Sequence, residues 1–177
     1  MRSRRSPSVR SPHASVALYT DAERRRRDAS PWTIVQGVLA PLQFAAFLIS
    51  LWLVLEYLAT GEGLASATAS VVIKTLLLYA IMITGSLWER DVFGRYLFAR
   101  AFFWEDVVSM LVLALHTAYL LVLVTGVLPP RGQMYLALAA YASYVFNAVQ
   151  FLLKLRAARK ERRAPTAVAV SLAGVGE

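Results

Sequence analysis

Strongly polar side chains inside long apolar stretches demand a reason, because each is costly to bury in lipid. Gln43, Glu56, Lys74, His116, Asn147 and Gln150 are in that position, with Tyr79, Tyr119, Tyr141 and Tyr144 as milder cases. For Gln43, Asn147 and Gln150 the plain expectation is hydrogen bonding between helices. Lys74 is more demanding, since a buried ammonium needs a partner or a task. A structural ion pair with Glu56 and a functional lysine are both open readings. Glu105, Ser109, Val112, His116 and Tyr119 follow a 4-3-4-3 spacing and so share one helix face. Glu105 and His116 lie about 16 Å apart along that helix, too far to act as a dyad but close enough to touch two parts of one large flat ligand. His116 is suited to axial ligation of a metal macrocycle, because a neutral imidazole is a good ligand. A hydrogen bond across helices would also account for it.

The stretch from Trp88 to Asp106 interleaves Trp88, Phe93, Tyr96, Phe98, Phe102, Phe103 and Trp104 with Arg90, Arg95 and Arg100. An interfacial amphipathic segment explains these aromatics and arginines, the rings sitting at headgroup level and the guanidinium groups meeting phosphate. It does not explain Glu89, Asp91, Glu105 and Asp106 at an anionic surface. Glu105 and Asp106, adjacent where an apolar span begins, would be partly desolvated there, as a general acid requires. Other chemistries have no machinery: the chain has no HExxH, Walker loop, GxSxG or GxGxxG. Cysteine is absent, which excludes disulfides, thiolate metal sites and a cysteine nucleophile. With His13 and His116 as the only histidines, no multi-histidine metal centre can be built.

The elements that must position these residues follow from composition. Of 177 residues 58% are hydrophobic, yet the net charge is +8, a combination foreign to an ordinary soluble domain. The basic residues collect in two tails, before Pro31 and from Lys154 onward, with Arg90, Arg95 and Arg100 between. Nucleic acid is therefore a poor partner for this charge, which instead sets topology. Four stretches reach the ~20 residues needed to cross the hydrocarbon layer: about 35–59, 64–88, 107–128 and 134–155. Thr60-Gly61-Glu62-Gly63 and Pro129-Pro130-Arg131-Gly132 break them into hairpins. The expected fold is all-α, an integral membrane four-helix bundle with the interfacial amphipathic segment between the second and third spans. Residues 31–155 form the transmembrane domain, 1–30 a basic, largely disordered tail, and 156–177 a second basic tail, disordered from Ala164. Ser30 and Pro31 mark the first helix start, as N-cap and first helical residue. The positive-inside rule places both tails and the middle segment in the cytoplasm, in a multi-pass protein of the inner membrane.

The segments LYTDAERRRRDASPWTIVQGVLAPLQF, VVIKTLLLYAIMITGSLWERDVFGRYLFARAFFWEDVVSMLVLALHTAYL and YVFNAVQFLLKLRAARKERR together resemble the vinyl bacteriochlorophyllide hydratase family of phototrophic bacteria. The likeness runs from about Leu18 to Arg163. It implies addition of water across the 3-vinyl group of chlorophyllide a, or a related magnesium tetrapyrrole, to give the 3-(1-hydroxyethyl) pigment of bacteriochlorophyll biosynthesis. Such a reaction needs an acid, a base to position water and a flat apolar slot, and no cofactor beyond the magnesium the substrate carries. For it, Glu105 and Asp106 are the expected acid and base. Phe103, Trp104 and Tyr96 would wall the slot, Arg95 or Arg100 would meet the ring propionate, and Lys74 would join the binding surface. His116 would be the axial ligand to the substrate's magnesium. The lipid bilayer is the surrounding partner, with other pigment-biosynthesis enzymes as neighbours and room for a homo-oligomer. A non-catalytic pigment-binding or assembly protein of a photosynthetic complex is the competing reading. The two diverge at the carboxylates.

Overall fold

A computed structural model describes residues 19–173 of the chain, with side chains described through Arg156. Five helices follow one another: α1 (Asp21–Ala29), α2 (Pro31–Thr60), α3 (Leu64–Phe93), α4 (Phe103–Thr125) and α5 (Pro130–Ala173). Among the described residues there is no strand. α2 and α3 form one antiparallel hairpin and α4 and α5 another, and the ring closes through sparser α2–α5 and α3–α4 contacts. All four are long and apolar enough to cross a membrane, so this is a multi-pass membrane protein. Expected and observed spans agree in number and order.

Local chemistry fixes the ends. Pro31 occupies the first turn of α2, where a missing N–H does no harm. Gly61 stops the helix at φ 80, a conformation that side chains with a Cβ avoid. Several boundaries differ from expectation. α4 ends at Thr125 rather than near residue 128, because Gly126 turns left-handed at φ 66. α3 runs on to Phe93, and α4 begins at Phe103, so the middle segment is helix at both ends with a non-helical connection at 94–102. α5 continues to Ala173, through the stretch from Ala164 expected to be disordered. The helix formers Ala157, Ala158, Arg159, Lys160, Glu161 and Arg162 carry it out of the apolar span.

The part of the N-terminal tail expected to be disordered, residues 1–18, lies outside the described residues. The arginine run at 24–27 is helical. Thr20 accepts from the Glu23 backbone N–H while Glu23 takes the Thr20 N–H, a reciprocal capping box. α1 packs on α3, and Tyr19 stacks on Phe93 at 5.8 Å.

Polarity is inverted relative to a soluble bundle. Ile34, Trp52 and Val124 are 73%, 71% and 85% exposed, as suits side chains facing lipid. Ser50, Lys74, Thr75 and His116 have no exposed surface. Phe47, Val54, Tyr57, Val71, Tyr119, Met134 and Tyr141 fill the apolar core toward the end bearing the short hairpin turns. At the opposite end, where the basic residues collect, Tyr19, Val92 and Phe102 pack with Trp88, Phe93 and Phe151. The chemistry-bearing residues occupy the space between and beside these two clusters.

Candidate functional site: a carboxyl cluster at the basic end of the bundle

α3 delivers Glu89 and α4 delivers Glu105 and Asp106 to the basic end of the bundle, and all three are buried. Glu105 accepts from the Lys154 ammonium of α5 at 2.6 Å in an ion pair between α4 and α5. Lys154 Nζ also lies 4.9 Å from the centre of the Phe102 ring, a cation–π contact that fixes it further. Asp106 accepts the Phe98 N–H at 2.7 Å, and Glu89 accepts the Ala99 N–H at 3.2 Å. The Glu89 and Asp106 carboxyls are neighbours in this buried space. Like charges side by side in such a setting repel, which favours one proton held between the two groups. The cluster therefore sets a pair of carboxyls suited to hold a proton beside a third carboxyl that is paired with a lysine.

The connection at 94–102 builds this arrangement. Gly94 leaves α3 at φ 76, and Phe98 takes a left-handed φ of 60. For a non-glycine residue that conformation costs about 1–2 kcal/mol. Its N–H is thereby aimed at Asp106, so the carboxyl and the turn hold each other.

A second polar unit lies deeper. Lys74 Nζ and His116 Nε2 are 2.6 Å apart. His116 Nδ1 is 2.8 Å from the Val112 carbonyl, which can only accept, so Nδ1 carries the ring hydrogen and Nε2 accepts from Lys74. The Lys74 nitrogen sits over the Tyr144 ring at 4.1 Å and over the Tyr141 ring at 5.2 Å from their centres. Glu56 is not its partner: that carboxylate is exposed and takes the Trp52 indole N–H at 3.2 Å. Both nitrogens of His116 are engaged in this packing, so coordination of a macrocycle's magnesium would require Nε2 to leave Lys74.

The structure thus gathers Glu105, Asp106 and the unforeseen Glu89 and Lys154 into one cluster, and Lys74 and His116 into another. The buried residues of α4 are Glu105, Ser109, Val112, His116 and Tyr119, the face read from their spacing, together with Asp106. Phe103 and Trp104 are 44% and 69% exposed and meet edge to face at 5.5 Å, on the outer side of the same helix. Tyr96, Arg95 and Arg100 are exposed on the connection, Tyr96 beneath the Arg90 guanidinium at 4.9 Å. The aromatic ring facing the cluster from inside is Phe102, stacked on Phe151 at 5.9 Å. Ser30 caps α2 by position only. Its hydroxyl instead donates to Asp91 at 2.9 Å, tying α2 to α3.

A family profile described as 2-vinyl bacteriochlorophyllide hydratase matches residues 19–157, every residue of both clusters included. The chain belongs to that family. It is 67% identical over 148 residues to the 2-vinyl bacteriochlorophyllide hydratase of Cereibacter sphaeroides, covering 83% of this chain and 91% of that protein. A relative of the same name from Rhodobacter capsulatus is 66% identical over 143 residues, 81% of this chain and 83% of its own. No solved structure matches the chain. Sequence reasoning singled out Glu105 and Asp106 and passed over Glu89 and Lys154. One signal was available for Lys154: it and Glu105 are the charged residues nearest the same end of two helices that a short hairpin makes antiparallel.

Proposed function

We propose that this protein is a membrane-embedded hydro-lyase of bacteriochlorophyll biosynthesis. It adds water across the vinyl group of chlorophyllide a or a related bacteriochlorophyllide, the group numbered 2 in the family's name and 3 in our reading. The product carries a 1-hydroxyethyl group. The observation that carries this is the identity of 67% over 91% of a relative bearing that name. The carboxyl cluster supports it by its chemistry.

In the proposed mechanism the Glu89–Asp106 pair delivers its shared proton to the terminal vinyl carbon. A C–H bond forms with the π electrons, and the positive charge left on the inner carbon spreads into the macrocycle. Water bonds to that carbon through oxygen, and Glu105 takes the proton it sheds. Transfer of that proton back to the Glu89–Asp106 pair closes the cycle with one water consumed and no redox change. General acid–base work of this kind is worth about 10²–10⁴ in rate. No nucleotide, reductant or resident metal enters, and magnesium arrives as part of the substrate. Phe103, Trp104 and Tyr96 offer an apolar landing surface at the membrane edge, with Arg95 and Arg100 within the same connection for the pigment's propionate. In this reading the basic end faces the cytoplasm from the inner membrane, the side where lipid, pigment and neighbouring enzymes of the pathway meet it.

The test is hydration of chlorophyllide a by membranes holding the full chain, in water enriched in heavy oxygen, without added cofactor. A blue-shifted product heavier by one labelled water is the expected result. A spectral shift without a mass change would replace the enzyme by a pigment carrier.

A further inference from the structure

Hydration has two substrates, and the second must reach a site enclosed by apolar helices. Three side-chain amides bear on this, one of them buried and two half-buried. Gln43 is 2% exposed, and neither its Nε2 nor its Oε1 has a hydrogen-bond partner. The Oδ1 of Asn147 and the Oε1 of Gln150 are also buried without a partner. Interhelical bonding, the plain expectation for all three, is realised only by Asn147 Nδ2, which donates to the Ser109 hydroxyl at 2.8 Å.

Their placement is ordered. On α5, Lys154, Gln150, Asn147 and Tyr144 step by four and three residues and share a face, with Tyr141 one step further round the helix. On α4, Glu105, Ser109 and His116 do the same. The two faces meet in register, Glu105 with Lys154, Ser109 with Asn147, and His116 beside Tyr141 with ring centres 5.9 Å apart. α2 joins this seam through Ser50 on Tyr141 and Phe47 on Tyr144. Continuing that antiparallel register by one turn brings Gln43 level with Asn147. The unpartnered amides thus occupy the stretch between the carboxyl cluster and the Lys74–His116 pair, one turn below Glu105. Buried polar atoms in native proteins are nearly always bonded to protein or to internal water, and a water needs two to four such partners.

We propose that Gln43, Asn147, Gln150 and Ser109 form an internal water site, and that the water held there is the one added to the vinyl group. The inference rests on the hydratase reading and deepens it. Glu105, directly above on the α4 face, takes the proton from this water as its oxygen bonds to the inner vinyl carbon. Gln43 and Asn147 are positioning residues: they hold the oxygen and exclude larger nucleophiles, leaving the proton transfers to the carboxyls.

Two measurements test this. The first uses the wild-type chain in detergent micelles, isotopically labelled at glutamine, with Gln43→Leu identifying the Gln43 side-chain signal by its loss. A magnetisation-transfer peak between bulk-exchanging water and the Gln43 amide protons is expected, and absence of such a peak overturns the site. The second follows hydration in a few per cent methanol, which can trap the same cation as a methyl ether. The wild type should give the alcohol almost alone. Gln43→Leu should bind pigment as tightly, hydrate about 10–100-fold more slowly, and shift product toward the ether. A slower variant with an unchanged alcohol-to-ether ratio would show that Gln43 acts only through packing, and would overturn its role. A water peak in a protein that hydrates no pigment would sink the hydratase reading and the assigned role of the water together, while the binding site itself would stand.

Discussion

Glu89 gives the sharpest expectation at the scale of a single residue. Glu89→Gln leaves an amide oxygen to accept the Ala99 N–H and an amide N–H to donate to Asp106, so the hydrogen-bond pattern survives. What disappears is the transferable proton. Thermal stability should stay within a few degrees of the parent while hydration falls by about 10²–10⁴. Activity within a factor of three of the parent would remove the pair from the mechanism. Glu105→Gln is expected to lose activity as well, and to lose stability too, since Lys154 would keep a partly buried charge without its carboxylate. Lys74→Met differs from both. The ammonium has His116 and two tyrosine faces but no carboxylate, so its desolvation is poorly offset. Replacing it should leave the melting temperature unchanged or higher. A fall of more than about 3 °C, roughly 1 kcal/mol at this size, would make the lysine structural. How much of the site could be read beforehand follows the same line. Glu105 and the His116 face were legible because helical spacing alone puts them on one side, and Asp106 because it stands next to Glu105 where an apolar span begins. Glu89 was not, because its place depends on how the connection at 94–102 turns.

At the scale of elements, the helix ends were largely legible wherever glycine or proline stood at them, and the middle connection was not. Its dense aromatic and basic composition reads equally well as an interfacial helix. Only the packing of Phe102 against Trp88 and Phe151, and the left-handed turn at Phe98, decide its path. α1 is a different failure. Thr20-Asp21-Ala22-Glu23 is a capping-box sequence, but the arginine run behind it invites an electrostatic reading that stops at topology. The helix carries Tyr19 into the aromatic cluster that backs the carboxyls, so its cap bears on the site. Thr20→Ala should destabilise α1 by about 1 kcal/mol, seen as faster amide exchange across residues 21–29. The same variant should loosen Tyr19 from Phe93 and weaken activity by less than the carboxyl substitutions do. Unchanged exchange would mean that packing on α3, and not the cap, holds the helix.

For the whole molecule the governing fact is the inversion of polarity, apolar side chains outside and polar ones along the seam between two hairpins. A bundle of this kind is stable only where its outer surface meets hydrocarbon, and its orientation there is set by charge. The chain offers a clean way to read that orientation, because it contains no cysteine. Single cysteines can be placed at Glu62 in the α2–α3 turn and at Val127 between α4 and α5, and others at Arg25 on α1 and Arg95 in the middle connection. All four positions are exposed. With a membrane-impermeant maleimide on intact spheroplasts, Glu62→Cys and Val127→Cys should label at once. Arg25→Cys and Arg95→Cys should label only after the membrane is opened. That result would put the carboxyl cluster and its shared proton on the cytoplasmic side, where a pigment still in assembly can reach them. The reverse pattern would turn the bundle over. Labelling of Arg95→Cys from outside together with Arg25→Cys from inside would split the basic end between two compartments, and no antiparallel four-span bundle could then hold Glu89 against Asp106.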